Sequence, residues 1–414
     1  MSPGRLRLPV ALVAAVVVAE AAVLLMRPRG GVIDPAPVSV RSYFSPGELE
    51  RARDFRGPQL ALYGGRVLVE LGVLALLIAR PPRRLQAPFR RPLLAAGAAG
   101  AALSLALTVA PLPLSAISRQ RSLDVGLSTQ SWPGWAGDVA KSAGIGAVLA
   151  GAGGMLLVGG MRRFPRHWWA PGAATVVAVG VLFTYAGPVV LDPLFNRFSP
   201  LPPGPARSDV LQLAREADVK VGEVYTVDAS RRTTAANAYV GGLGKTKRVV
   251  LYDTLLENFS RDEVRLVVAH ELAHVHYSDV PYGLLYLALV APAGVLAVQR
   301  LTERLGRRGR GGPGPAVLPA AALALGVVSF AVTTVSNQLS RRVEARADTY
   351  SLELTRAPEP FVSFERRIAL RNVADPDPPR WRVALLSTHP PTLERIGAAV
   401  AFSRRPPSRT PGGS

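Results

Sequence analysis

Seven runs of predominantly apolar residues constrain this chain more than any other feature: 8–26, 60–79, 92–114, 139–161, 168–191, 282–298 and 317–339. Each approaches the roughly 20 residues that an α-helix needs to cross a hydrocarbon core. Backbone polar groups inside a bilayer must pair within their own segment, so these runs are expected to be helices. The predicted fold is mainly α: a multi-pass membrane protein with about seven transmembrane helices. The first run follows Arg5 and Arg7, as a signal peptide would, but more spans follow and an uncleaved helix is expected. The fourth run carries Gly144, Gly146, Gly151, Gly153, Gly154, Gly159 and Gly160, small residues that let helix backbones approach closely in lipid. Arg66 and Glu70 lie four apart in the second run and are expected to neutralise each other.

The formal net charge is +20, which could suggest a nucleic-acid partner. Lysine occurs only at positions 141, 220, 245 and 247, however, and many arginines fall in short links between the apolar runs. That placement is a membrane-topology signal, no nucleic-acid motif accompanies it, and no nucleic-acid partner is expected. The chain has no cysteine, which excludes disulfides, thiol catalysis and Cys-ligated zinc.

Soluble character returns after residue 191. A helix is predicted at 207–217, strands at 223–228 and 248–252, and between the strands an extended segment, Asn237, Ala238, Tyr239, Val240 and Gly241, ending in a glycine turn. The seventh span is expected to continue as a polar helix through residue 354. Helical pieces are predicted near 361–372 and 391–402. The chain thus divides into an N-terminal membrane region of about five spans (1–191), a polar segment (192–280), two further spans (281–339), a second polar segment (340–402) expected to fold with the first into one domain, and a tail expected to be disordered (403–414).

The catalytic reading comes from residues 261–279, RDEVRLVVAHELAHVHYSD. Val264, Val267, Val268, Leu272 and Val275 recur at helical spacing and define an apolar face. His270 and His274 are four apart, so both imidazoles point the same way and can meet one Zn²⁺. Glu271 is placed to act on an attacking water as general base. His276 lies about 200° around the axis from His274 and faces away. A catalytic zinc needs a third protein ligand, and Glu344 is the better candidate. It shares a helix face with Asp348, so one carboxylate can bind metal while the other accepts a hydrogen bond from a ligand histidine.

With these residues on the page, the chain resembles the type I CAAX prenyl protease family of membrane-embedded zinc metallopeptidases. The stretches that carry the likeness are DPLFNRF at 192–198, NAYVGGLG at 237–244, VVLYDTLL at 249–256, HELAH at 270–274, NQLSRRVEARAD at 337–348 and STHPP at 387–391. The resemblance implies that His270, His274 and Glu344 bind one Zn²⁺ and that Glu271 is the catalytic base. It further implies that Asp348 supports the ligands, that His389 stabilises the transition state, and that the segment Asn237 to Gly241 is an edge strand pairing with peptide substrate. The implied fold is a ring of seven membrane helices around a chamber, with a small α+β zincin-like catalytic domain.

The expected activity is that of an integral-membrane zinc metalloendopeptidase. Its partners would be the lipid bilayer and a peptide or protein substrate, either a C-terminal CAAX-type peptide or an unfolded, hydrophobic segment of a membrane protein. A transporter or a catalytically silent scaffold is the alternative; neither requires His270, Glu271, His274 and Glu344 together. The chain is expected in the cell membrane. Arginines concentrate at the N-terminus and in the second–third, fourth–fifth and sixth–seventh links, which by the positive-inside rule places the catalytic segment outside the cytoplasm. The resemblance implies the reverse, a zinc site opening toward the cytosol.

Overall fold

The computed structural model describes residues 3–86, 89–241, 247–306 and 313–405. The N-terminal half contains α1 (Pro3–Met26), α2 (Pro46–Ala79), α3 (Arg83–Gln86), α4 (Pro92–Val109), α5 (Leu112–Asp124), α6 (Trp132–Arg163) and α7 (Trp169–Val190). After β1 (Phe198–Pro200) come α8 (Pro205–Glu216), β2 (Glu223–Val227), β3 (Ala238–Gly241) and β4 (Arg248–Tyr252). The chain closes with α9 (Asp253–Asn258), α10 (Arg261–His276), α11 (Asp279–Leu305), α12 (Leu318–Thr355), α13 (Pro358–Arg371), α14 (Arg380–Leu386) and α15 (Thr392–Ser403). Most of the proposed tail, 406–414, and the turn at 242–246 lie outside the described residues.

Among the described residues, α2, α4, α6, α7, α11 and α12 are long and apolar enough to cross a membrane, and α1 adds a shorter apolar stretch, Val10–Met26. The expected seventh span does run on as a single helix, α12, through its polar half. The expected third span, 92–114, is instead broken after Val109: Pro111 precedes α5 and Pro113 lies in its first turn, where proline ends one helix and starts another. Arg66 and Glu70 form no ion pair among the described residues. Both line a cavity of about 810 Å³ that is shared with Arg119, Asp138 and Arg232, so each charge has a polar space to face.

Strand order is β1-β2-β4-β3, with β2 and β4 parallel and both outer strands antiparallel to their neighbours. Among the described residues β3 therefore has one free edge. Its side chains alternate, Ala238 and Val240 packing into the main soluble core and Tyr239 onto the other face with Phe198 and Tyr225. That core joins α8, the sheet, α9 and α10 through Leu213, Leu251, Leu255, Val268 and Leu272, each fully buried, and Phe364 of α13 packs into it. Burial of one such leucine contributes about 1.5–3 kcal/mol.

α4 and α6 touch backbone to backbone. A Cβ on Gly154 would lie 2.6 Å from the Ala96 carbonyl oxygen, and one on Gly100 would collide with the Ala150 carbonyl. Gly153 and Gly144, from the same glycine-rich run, face open space. Gly154→Ala is expected to cost about 1–3 kcal/mol through overpacking, read as a lower melting temperature of the purified protein, while Gly153→Ala leaves it unchanged. Equal melting of the two variants would contradict this packing.

Candidate active site

α10 begins at a capping box: Ser260 Oγ accepts from Glu263 N at 3.3 Å, and Glu263 Oε2 accepts from Ser260 N at 2.7 Å. Glu263 is 1% exposed and also accepts from Arg367 and Ser363, which fastens the start of the helix to α13. Val264, Val268 and Leu272 then face the core, and the helical period turns His270, Glu271 and His274 toward α12.

His270 Nε2 lies 3.3 Å from His274 Nε2 and 3.2 Å from Glu344 Oε2, and His274 Nε2 is 3.7 Å from Glu344 Oε1. Bonds of about 2.0–2.2 Å to a tetrahedral zinc would set neighbouring ligand atoms roughly 3.3–3.5 Å apart. Glu344 Oε2 is buried and makes no hydrogen bond of good geometry, so a cation would satisfy it. A donor set of two imidazoles and a carboxylate, without sulfur, suits a catalytic rather than a structural zinc. Glu271 also offers an oxygen within 4.8 Å of both histidine nitrogens. Glu344 lies closer to both histidines than that limit, and its unsatisfied oxygen makes it the better third donor.

The electrostatics favour positive charge here. Burial disfavours an imidazolium at His270, yet the carboxylates of Asp348 and Glu344 outweigh it and push its pKa up to about 10. Burial raises the carboxyl of Glu271, while His270 and His274 pull it down.

Each of the two histidines has a carboxylate behind it. Asp348 Oδ1 is 2.9 Å from His270 Nδ1, and Asp279 Oδ2 is 2.9 Å from His274 Nδ1. Each carboxylate is held in turn by an arginine, Arg395 at 2.5 and 2.8 Å from Asp348 and Arg346 at 2.5 Å from Asp279. Arg395 also contacts the buried Glu365 at 2.7 Å. Burial pushes Glu365 up to about 7 against the pull of that arginine. Of this set the sequence reading found Asp348 alone. Asp279 was open to discovery, since it opens the next helix five residues after His274. It stands just past Ser278, whose left-handed φ of 57° turns the chain from α10 into α11.

His389 reaches the same place from the loop before α15, its Nε2 3.2 Å from Glu344 Oε2 and its Nδ1 2.9 Å from Thr388 Oγ1. Its side chain is 60% exposed, yet the protein around it still lowers its pKa, with Glu344 pulling the other way. The edge segment departs slightly from expectation. The strand starts at Ala238; Asn237 stands just before it, its carbonyl accepting from Tyr252 N at 3.0 Å in register with the β3–β4 pairing and its side-chain Oδ1 accepting from Ala238 N at 2.9 Å. His276 is outside the site, its Nδ1 3.3 Å from the Ala217 carbonyl oxygen.

Asp279→Asn is expected to lower divalent-metal affinity about 10–100-fold by loosening His274. Metal content after dialysis against graded chelator reads it; unaltered retention would show that Asp279 does not position the ring.

Residues 204–402 match the model of peptidase family M48. Over 310 residues the chain is 35% identical to the uncharacterized metalloprotease YhfN of Bacillus subtilis (strain 168), covering 73% of each chain. It is 30% identical over 227 residues to a CAAX prenyl protease 1 homolog of Oryza sativa subsp. japonica, 51% of each chain. It is 28% identical over 230 residues to the probable CAAX prenyl protease 1 of Schizosaccharomyces pombe, 52% of this chain and 47% of that one. The chain thus spans about half the length of these CAAX prenyl proteases. The crystal structure of S. mikatae Ste24p has the same fold, with a TM-score of 0.71 at 18% identity over 96% of this chain and 99% of that chain. The chain belongs to peptidase family M48 and is a multi-pass membrane metallopeptidase of the type I CAAX prenyl protease family.

Proposed function

We propose that the protein is a zinc endopeptidase in which His270, His274 and Glu344 hold one Zn²⁺. The observation that carries this reading is the convergence of three donors within 3.2–3.7 Å around an unsatisfied, buried carboxylate oxygen. Zinc bound there would polarise the scissile carbonyl and acidify the attacking water. Glu271 takes the proton of that water and returns it to the departing amine, a cycle suited to a carboxyl drawn both ways by burial and by histidines. Asp279 accepts Nδ1–H of His274, and Asp348, 2.9 Å from Nδ1 of His270, stands where it would do the same, so that both Nε2 lone pairs face the centre. His389 Nδ1 lies 2.9 Å from Thr388 Oγ1; with Thr388 as donor the ring would carry its proton on Nε2 and could donate to the oxyanion. The free edge of β3, led in by Asn237, takes substrate as an added strand through Ala238, Tyr239, Val240 and Gly241.

This reading extends to substrate and side of the membrane. The names of the relatives suggest C-terminal CAAX-type peptides. Backbone pairing along β3 serves unfolded hydrophobic segments equally well. The link after α6 meets the link before α12 where Arg162 donates to the Pro313 carbonyl, and α3 packs beside 315–317. The arginine-rich links therefore gather on one side, which supports an extracytoplasmic catalytic site in the cell membrane.

A quenched peptide with the purified protein tests the chemistry. Chelator is expected to stop cleavage and zinc to restore it. Glu271→Gln keeps the metal and loses about 10²–10⁴-fold in rate, whereas Glu344→Ala loses the metal. Full turnover by Glu271→Gln would refute the mechanism. Orientation is tested in the cysteine-free chain with Arg84→Cys and, separately, Arg404→Cys, and a membrane-impermeant thiol reagent on intact cells. Labelling at position 404 alone is expected; labelling at position 84 alone would reverse the assignment.

A further inference from the structure

A second cavity, of about 520 Å³, shares no residue with the peptidase site. It lies where α1 ends and α12 passes from its apolar to its polar half, and Arg27, Arg29, Arg341 and Arg342 line it together with Gln338. No aspartate or glutamate is among its lining residues. Two of the arginines are pinned by backbone: Arg341 Nη1 donates to the carbonyls of Val383 (3.0 Å) and Ser387 (2.7 Å), and Arg342 Nε to that of Pro28 (3.3 Å). The side chains of Arg27 and Arg29 make no hydrogen bond or ion pair among the described residues. Two carboxylates approach without lining the cavity: Glu20 accepts from Gln338 Nε2 at 3.2 Å, and Glu394 acts on Arg341.

Four guanidinium groups around one cavity repel one another unless an anion enters, and their forked donors match the oxygens of a phosphate. The location identifies which phosphate. Val17, Leu24 and Leu25 of α1 are 58%, 45% and 70% exposed, and Arg27 follows Leu24 by one turn on the same face. An apolar surface that suits acyl chains thus runs directly into a basic cavity at the end of a membrane span. We propose that this cavity binds the phosphate of an anionic phospholipid, with its acyl chains along the exposed face of α1.

The test uses the full-length protein in nanodiscs of phosphatidylcholine containing a minor fraction of phosphatidylglycerol, with lipids retained after detergent transfer identified by native mass spectrometry. The double variant Arg27→Gln/Arg29→Gln alters two exposed arginines that hold no other group. It should retain phosphatidylglycerol about thirtyfold less well, taking each arginine at its usual worth beside an anionic headgroup. Peptide cleavage in phosphatidylcholine alone should be unchanged. The control Arg53→Gln/Arg404→Gln removes the same charge from the surface elsewhere and should retain the lipid as the parent does. Equal loss in the control, or equal retention in the cavity variant, would overturn the proposal. Displacement of the lipid by millimolar inorganic phosphate would also overturn it, because the site would then belong to a free anion.

Discussion

One buried guanidinium ties the catalytic half of the molecule together. Arg395 on α15 lies between Asp348 on α12 and Glu365 on α13, and Asp348 reaches on to His270 on α10. Asp348 and Glu365 are 2% and 1% exposed, so neither carboxylate can turn to water for compensation. Removing one member of such a cluster typically costs 3–5 kcal/mol, because the remaining charges stay buried without a partner. Four helices therefore meet at a point where each constrains the others, and one of the two site histidines is attached to that point. The cluster sets rotation and depth for α12, which in turn sets where Glu344 sits.

The membrane and catalytic parts do not behave as separable modules. α12 carries an apolar span and both carboxylates on one unbroken helix of 38 residues. The chain after α1 returns to that helix through Ile33 N, which donates to Thr349 Oγ1 at 3.0 Å. The loop before α6 is clipped to the segment before β3 by the Ser128–Thr233 bridge, and Arg232 pairs with Asp138 at 2.9 Å. The soluble core is thus bordered on several sides by ends of membrane helices, and the 810 Å³ cavity lies between the two.

Much of this was legible in the sequence because the signals are local. Apolar run length reveals the spans, and spacings of four within one helix reveal His270 with His274 and Glu344 with Asp348. What escaped was held by contacts far apart in the chain. Arg395 is 47 residues from Asp348, and Arg346 is 67 from Asp279, so no periodicity links either pair. Arg66 and Glu70 show the opposite failure. Helical spacing makes an ion pair possible, but the polar cavity beside them offers both side chains another environment. The third span stands as α4 but ends at Val109 rather than at 114, because Pro111 and Pro113 start a new helix, α5. Asn237 stands one residue before the strand, although its carbonyl still accepts from Tyr252 N across the β3–β4 pair.

The join between α10 and α11 has a mechanical consequence. Asp279 is the first residue of a helix long enough to cross the bilayer, and it lies within 2.9 Å of one of the clustered histidines. Its partner Arg346 belongs to α12, the neighbouring span. A bilayer thinner than these spans is accommodated largely by tilt, at fractions of a kcal/mol per Å. Tilting either span moves an anchor of His274. Lipid thickness is thereby geared to the alignment of a ring deep in the water-facing part of the protein.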